Sequence, residues 1–399
     1  MKVLIINTVA KSGSTGKICY DLYSELKKNG HDCCLAFGRG HIDPSVEHFK
    51  IGNYFDIYEH LFESRFLDNC GLASRRATRK FLNFIEEYKP DVVNIHNIHG
   101  YYINFPLLFD YLKKNNYKII WTFHDSWPYS SHSAYVDLQN HDKKARREIL
   151  KEYPKTLGFN RSLRNYNIKR KNFSGISNLN IVTPSIWLKE ELEETFFSEY
   201  NIRVINNGIN REIFNCINFS KKQKKNYILG VANIWDNRKG LNYFFELASL
   251  TDHKIIIIGK MDSKNKKIIS SMQSITHIEQ TANQQELAKY YREALIFVNP
   301  TLQDNYPTTN LEAISCGTPV VTFDTGGSAE EINTNTGVVC KTKKTSEIIL
   351  GIEKVKDNYK KNVYANLGEN LNLYSKESMI EKYILLMKGI NENEKNIVL

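Results

Sequence analysis

No apolar run in this chain reaches the roughly 20 residues that a bilayer-spanning helix needs, so no transmembrane segment is expected. The start, MKVLIINTVAKSGSTG, does not read as a signal peptide. Its apolar stretch is short, and glycines and polar residues follow without a small-residue cleavage pattern; a first buried strand is expected instead. The seven cysteines are scattered and odd in number, with no C-x-x-C pair. A disulfide framework or zinc site is therefore not expected, and a reducing cytoplasm is. No period of 20–50 residues recurs, which excludes a solenoid. RNP aromatics, zinc-finger spacing and helix-turn-helix signals are all missing, so nucleic acid is not an expected partner. The loop KSGSTGK is not a P-loop, because Gly16-Lys17 is followed by Ile18.

What is present is a chain of 399 residues, 41% hydrophobic and 25% charged. That is the balance of a globular protein, and the length exceeds a single ordinary core, so two α/β domains of similar size are expected. The net charge of +10 is unevenly placed: residues 143–171 hold eleven Lys and Arg against Glu148 and Glu152. Such a stretch is either a solvated basic helix pair or a surface for anionic lipid or a phosphorylated substrate.

Short apolar runs alternate with amphipathic segments. Strands are predicted over 3–7, 91–96, 118–123 and 180–183. Helices are predicted over 16–29, 57–68, 74–88, 105–115, 162–173 and 186–197. The pattern restarts with strands over 227–231, 254–258, 295–299 and 319–323 and helices over 240–249, 284–293 and 308–316. Strands of about five residues between longer helices are the signature of βαβ units and a parallel sheet. The fold class is therefore α/β, with two doubly wound Rossmann-like domains facing across a cleft. The first is expected over 1–206 and the second over 207–374, with a C-terminal helix at 375–392 packing back on the first. Ligands of such sheets bind beyond the carboxyl ends of the strands.

One such end leads into PTLQDNYPTTNLEAISCGTPVVTFDTGG, from Pro300 to Gly327. Pro307 disfavours helix before it, and Thr308 or Thr309 can cap a helix there. Asp304 then lies on a loop and Glu312 on the first helical turn, beside backbone N–H groups that suit a diphosphate. The same residues have plainer readings: Thr309-x-x-Glu312 is itself a capping box, and Asp304-Asn305 an ordinary turn.

The segment resembles the signature of the retaining glycosyltransferases of family 4, which have the GT-B fold. Asp304 and Glu312 stand at the acidic positions of E-x7-E. Gly317-Thr318-Pro319-Val320-Val321 and Gly326-Gly327 complete the pattern. The departure is Asp304, one methylene shorter than the usual Glu. GVANIWDNRKGL is similar to the family loop whose Arg and Lys meet the donor diphosphate. Lys239 fits the lysine, Asn233 replaces the usual arginine, and Arg238 compensates. His124, ending strand 118–123, resembles the family histidine near the donor sugar. The loop with Gly13 and Gly16 resembles the family's Gly-rich loop. IVTPSIWL and VINNGINREIF match segments typical of these enzymes.

The resemblance implies a glycosyltransferase moving a sugar from a nucleotide-sugar, a UDP-sugar favoured, to a glycan or lipid-linked acceptor of capsule or O-antigen type. Asp304 and His124 would act at the reacting sugar. Arg238, Lys239, Glu312, Tyr306, Thr308, Thr309, Asn310, Gly13 and Gly16 would bind the donor. No metal or cofactor is expected. The cysteines that related chains carry after the His-Asp strand are lacking here. A cytoplasmic location is implied, with the basic stretch on an anionic membrane surface. The alternatives are a GT-B sugar-nucleotide epimerase or a catalytically silent binding subunit.

Overall fold

The structure, a computed structural model, describes residues 1–134, 153–217, 223–369 and 372–389. The first ten residues of the basic stretch, 143–152, lie outside them. The described chain divides into two compact units. Unit 1 is Met1–Ile205 with the segment beginning at Ile380, and unit 2 is Asn206–Met379.

Unit 1 is built on strands β1 (Lys2–Val9), β2 (Asp32–Arg39), β3 (His48–Lys50), β4 (Val92–Ile95), β5 (Lys118–Thr122), β6 (Leu179–Thr183) and β7 (Asn201–Val204). They pair in the order β3-β2-β1-β4-β5-β6-β7, all parallel. The helices are α1 (Gly13–Lys28), α2 (Tyr54–Leu67), α3 (Arg75–Tyr88), α4 (Phe105–Lys114), α5 (Ser162–Phe173) and α6 (Ile186–Glu193). The central strands are buried throughout, as helices on both faces of a parallel sheet require. Trp121 of β5 anchors the core, with Phe109, Phe123 and Phe173 at ring centroids of 4.6–5.0 Å. Such mutually packed aromatic rings dominate core energetics.

Unit 2 repeats the plan with β8 (Tyr227–Ile234), β9 (Lys254–Lys260), β10 (Ile275–Ile278), β11 (Ile296–Asn299), β12 (Val320–Phe323) and β13 (Gly337–Cys340). The order is β10-β9-β8-β11-β12-β13, again all parallel. Its helices are α7 (Leu241–Leu250), α8 (Ser263–Ser270), α9 (Gln284–Glu293), α10 (Thr308–Ser315) and α11 (Thr345–Lys360). A last helix, α12 (Lys376–Lys388), starts in unit 2, and its later turns belong to unit 1. There Tyr383 meets Thr122 Oγ1 at 3.0 Å, and Lys118 Nζ donates to the Met387 carbonyl at 2.8 Å.

The α/β class and the parallel sheets agree with the sequence. The sequence reading lacks β2, β3, β7, β10, β13, α8 and α11. Four of the five missing strands, β3, β7, β10 and β13, are the sheet edges. An edge strand is short and half-covered, so it lacks the continuous apolar run that marks a buried strand. The helix predicted over 186–197 stops at Glu193. Phe197 lies beyond it and packs on Phe123 in the core.

In both sheets the strand order reverses direction of growth once, between β1 and β4 and between β8 and β11. A crevice opens beyond the strand ends at such a point. The loops after β1, β4 and β5 in unit 1, and after β8, β11 and β12 in unit 2, are therefore where side chains for chemistry belong.

Candidate active site

In unit 2 three loops are tied together at the carboxyl ends of β8, β11 and β12. The loop after β8 carries Arg238 and Lys239. Arg238 Nη1 donates to the Gln303 carbonyl at 3.1 Å, and the Arg238 carbonyl accepts from Leu302 N at 2.8 Å. Lys239 Nζ forms an ion pair with Asp304 Oδ2, both side chains partly exposed. Lys239 is further fixed by its own N–H, which donates to Asp236 Oδ1 at 2.9 Å. The loop after β12 joins through Gly327 N, which donates to the Asp304 carbonyl at 3.0 Å, and Thr325 Oγ1, which donates to the Thr301 carbonyl at 2.8 Å. Both charges of the Lys239–Asp304 pair thus stand on braced backbone at a strand-end rim.

Asn310 stitches the floor. Its Oδ1 accepts from Asn299 Nδ2 at 2.8 Å, and its Nδ2 donates to the Ser328 carbonyl at 2.9 Å. Buried and bonded at both ends of its amide, Asn310 holds the loops in place. Tyr306 is buried as well. Its hydroxyl donates to Glu331 Oε1 at 2.5 Å, and Tyr374 donates to the other oxygen of the same carboxylate.

The start of α10 corrects three expectations. Its N-cap is Pro307, and no side chain caps it. Thr308 and Thr309 are therefore the first two helical residues, not caps. The capping box Thr309-x-x-Glu312 does not form, and Glu312 sits on the second turn. Glu312 Oε2 instead accepts from the hydroxyl of Tyr291 on α9, at 3.1 Å. Burial raises the Tyr291 phenol far above its usual range and the adjacent Glu312 charge raises it further, so it stays a donor. With no side-chain cap, the backbone N–H groups at this helix start are the kind of donor that binds phosphate oxygens.

In unit 1, α1 follows β1 with Ser12 as an N-cap that makes no side-chain bond. Gly13 has φ +68 and open space around it. Gly16 is a packing glycine: a Cβ there would meet Val9 and the Lys11 backbone at 3.1 Å.

His124 follows β5, and the structure adds a partner that sequence reasoning missed. His96, at the end of neighbouring β4, places Nδ1 2.8 Å from His124 Nε2 and Nε2 2.8 Å from Asn94 Oδ1. Asn94 Nδ2 donates to the Ile120 carbonyl at 3.3 Å. Because a carbonyl can only accept, that bond orients the Asn94 amide, and the protons along the chain follow. Asn94 Oδ1 must accept from His96 Nε2–H. His96 is neutral, since burial above all holds its pKa well below the usual value. Its Nδ1 therefore accepts from His124 Nε2–H. Burial also lowers His124, to about 4, against an opposing pull from Asp125. His124 is thus a neutral imidazole with Nδ1 as its acceptor. The signal in the sequence was Asn94-x-His96: two polar residues at period two in an otherwise apolar buried strand.

Asp125 turns to His99 instead, accepting from Nε2 at 2.8 Å and from Trp127 N at 3.0 Å. Burial pushes the Asp125 carboxyl up, but His99 and these two hydrogen bonds outweigh it and hold it below its usual range. His99 was likewise not singled out by the sequence.

Each unit therefore carries its own part of the candidate set: Gly13, Gly16 and His124 in unit 1, and Arg238, Lys239, Asp304, Tyr306, Thr308, Thr309, Asn310 and Glu312 in unit 2. Two family profiles match the chain: "Glycosyltransferase Family 4" over residues 15–213, and "Glycosyl transferases group 1" over residues 215–372. This chain is a glycosyltransferase of GT-B fold. The glycosyltransferase is 23% identical to the putative colanic acid biosynthesis glycosyl transferase WcaC of Escherichia coli, over 96% of this chain and 98% of WcaC. It is 22% identical to the N,N'-diacetylbacillosaminyl-diphospho-undecaprenol alpha-1,3-N-acetylgalactosaminyltransferase of Campylobacter jejuni, over 52% of this chain and 51% of that protein. Among solved structures it is similar to HepE of Anabaena in complex with UDP, with a TM-score of 0.66 at 12% identity, covering 98% of this chain and all of that one (100%). Among its described residues, no helix is long and apolar enough to cross a membrane.

Proposed function

We propose that this glycosyltransferase moves a sugar, with retention of anomeric configuration, from a UDP-sugar to a glycan or lipid-linked acceptor in surface-polysaccharide synthesis, at the cytoplasmic face of a membrane. The observation that carries the donor assignment is the Lys239–Asp304 pair at the meeting of the β8 and β11 loops, with Arg238 braced beside it. The leaving group is a nucleoside diphosphate whose negative charge grows as the glycosidic bond breaks. Fixed cations aimed at that charge stabilise the transition state more than the ground state, and none of the proposed steps calls on a metal. In this reading Lys239 exchanges Asp304 for the diphosphate when donor binds, which frees the Asp304 carboxylate for sugar hydroxyls. Glu312, oriented by Tyr291, accepts from ribose or sugar hydroxyls. Asn310 and Tyr306 hold the loops, Thr308 and Thr309 offer the start of α10, and Gly13 and Gly16 shape the loop before α1.

His124 is assigned a contact to the donor sugar or its phosphate. As a neutral imidazole with an accepting Nδ1 it suits a sugar hydroxyl. The acceptor hydroxyl attacks on the side the diphosphate leaves, and the donor phosphate oxygen takes its proton. The UDP preference is supported by the UDP complex of HepE. The lipid-linked acceptor is supported by the name of the Campylobacter relative.

Release of nucleoside diphosphate from a panel of sugar nucleotides tests the reading. UDP-sugars should be turned over, and Lys239→Ala should lower kcat by about 10²–10³, the usual loss when one transition-state donor is removed. If Lys239→Ala and Glu312→Ala both left turnover intact, the site would be misassigned. The anomeric coupling of the product in ¹H NMR tests retention separately.

A further inference from the structure

Helix α2 turns a row of aromatic rings outward, while Leu61 packs inward on the core. Its buried residues are His60 and Ser64. His60 is held inside by polar partners: Nδ1 bonds Ser74 Oγ at 2.7 Å, and Nε2 accepts from Gly71 N at 2.9 Å. Outward it shows Tyr54, Phe55, Tyr58, Phe62 and Phe66, of which Phe55 is 85% exposed and Tyr58 67%. At about 100° per residue these five rings fall within roughly a third of the helix circumference. Isolated exposed apolar residues are ordinary, but a continuous outward aromatic stripe along one helix is not.

The stripe continues off the helix. Leu157 N donates to the Arg65 carbonyl at 2.7 Å and Phe159 N to the Phe66 carbonyl at 3.2 Å, and both side chains are exposed. Cations border the stripe at both ends. Lys50 Nζ lies 5.3 Å from the Tyr54 ring centroid, and the Arg161 guanidinium 5.4 Å from that of Phe159. The described end of the basic stretch is fastened here: Arg161 N donates to Asp68 Oδ2 at 2.8 Å, and Arg164 Nη1 to Asn69 Oδ1 at 3.1 Å.

We infer that the outward face of α2, extended by Leu157 and Phe159 and bordered by Lys50, Arg161 and Arg164, is the surface on which this protein rests against an anionic lipid bilayer. The inference builds on the proposed lipid-linked acceptor and deepens it. Rings with a hydrophobic body, two of them with a polar tip, settle at the level of lipid headgroups, and the flanking cations meet anionic phosphates. An apolar protein partner would account for the rings but not for the cations laid over them.

The test is co-sedimentation of the full chain with phosphatidylcholine vesicles made with and without phosphatidylglycerol. The wild type should sediment with the anionic vesicles. Phe55→Ser, Phe62→Ser and Phe66→Ser combined should weaken that binding by at least about tenfold, because each buried ring contributes apolar area to insertion. Arg161→Glu with Arg164→Glu should weaken it on anionic vesicles alone, as should added salt. Release of diphosphate in the presence of a soluble acceptor analogue, and the melting temperature, should stay at wild-type values in both variants. The surface is wrongly assigned if the wild type ignores anionic vesicles or the triple serine variant binds like wild type. It is also wrong if wild type is a dimer, the serine variant a monomer, and both sediment alike, since the face then joins two copies. If wild type binds vesicles but releases no diphosphate from any donor, the proposed reaction fails while the surface stands.

Discussion

At the residue scale, the informative feature is a proton whose position is set three groups away. The Ile120 carbonyl orients Asn94, Asn94 orients His96, and His96 requires the proton of His124 to be on Nε2. A single neutral tautomer presents one hydrogen-bonding pattern to a ligand, and the partner of the other ring nitrogen fixes which one. We therefore expect the ¹⁵N spectrum at neutral pH to show His124 as the neutral Nε2–H form. In His96→Phe that signal should shift toward a mixture of tautomers. If His124 also touches the donor sugar, kcat of the same variant should fall while KM changes little; an unchanged tautomer would remove the basis for that expectation. His124 itself was legible in the sequence, because a His at a strand end is placed by the strand. His96 and Asn94 were not, because their role exists only once β4 and β5 lie side by side.

At the scale of elements, two look-alike motifs behaved oppositely. Asn53-x-x-Asp56 forms a capping box: Asn53 Oδ1 accepts from Phe55 N at 2.8 Å and Asp56 N at 3.2 Å, and Asp56 Oδ2 accepts from Asn53 N at 2.9 Å. It starts α2 three residues before the predicted 57. Thr309-x-x-Glu312 has the same spacing of capping and acidic residues and forms no box, because Pro307 already sets the turn and the helix begins two residues too early for Thr309 to cap. Local pattern decides only when no stronger backbone constraint lies beside it. The loops of the proposed donor site obey such a constraint at Gly240. It caps α7 with φ +75, and a Cβ there would lie 2.1 Å from the Pro300 carbonyl oxygen. That close approach sets how near the Lys239 loop comes to the Asp304 loop. Gly240→Ala should therefore destabilise unit 2 by roughly 2–4 kcal/mol, the range for a backbone clash in a strained conformation, and raise the KM for donor. Gly13→Ala, at positive φ but in open space, should cost less, roughly 1–2 kcal/mol. Urea unfolding followed at Trp235 in unit 2 checks the first, and at Trp121 in unit 1 the second, each as the lone tryptophan of a Trp-to-Phe variant.

At the scale of the whole molecule, the two-unit plan was readable because the βα rhythm restarts near residue 227, and what escaped was mainly the sheet margins. The same plan places the deeply buried histidines in unit 1 and the proposed ligand stabilisation in unit 2. His60, His96 and His124 all belong to unit 1 and are held neutral by burial, His60 down to about 3 and His124 to about 4. Above the unfolded pKa of about 6.5 both states are neutral and pH has no effect through them. Below it the unfolded chain takes up protons that the folded unit refuses. Stability then falls with pH, by about 1.4 kcal/mol per pH unit for each histidine fully engaged, until the folded pKa is reached. Unit 1 should thus lose stability steeply between pH 6.5 and 4. UDP, bound through Lys239 and the α10 start, should stabilise unit 2, by about 2.7 kcal/mol at a hundred times its Kd. Trp121, Trp127 and Trp187 report on unit 1 and Trp235 on unit 2. A set of Trp-to-Phe variants that leaves one reporter at a time can therefore follow each unit through a thermal melt. The expected record is an acid-labile unit 1 transition and a unit 2 transition that rises with UDP at every pH. A UDP effect absent from the Trp235 signal would place the donor elsewhere, and a unit 1 transition flat from pH 6.5 to 4 would mean that these histidines can charge in place.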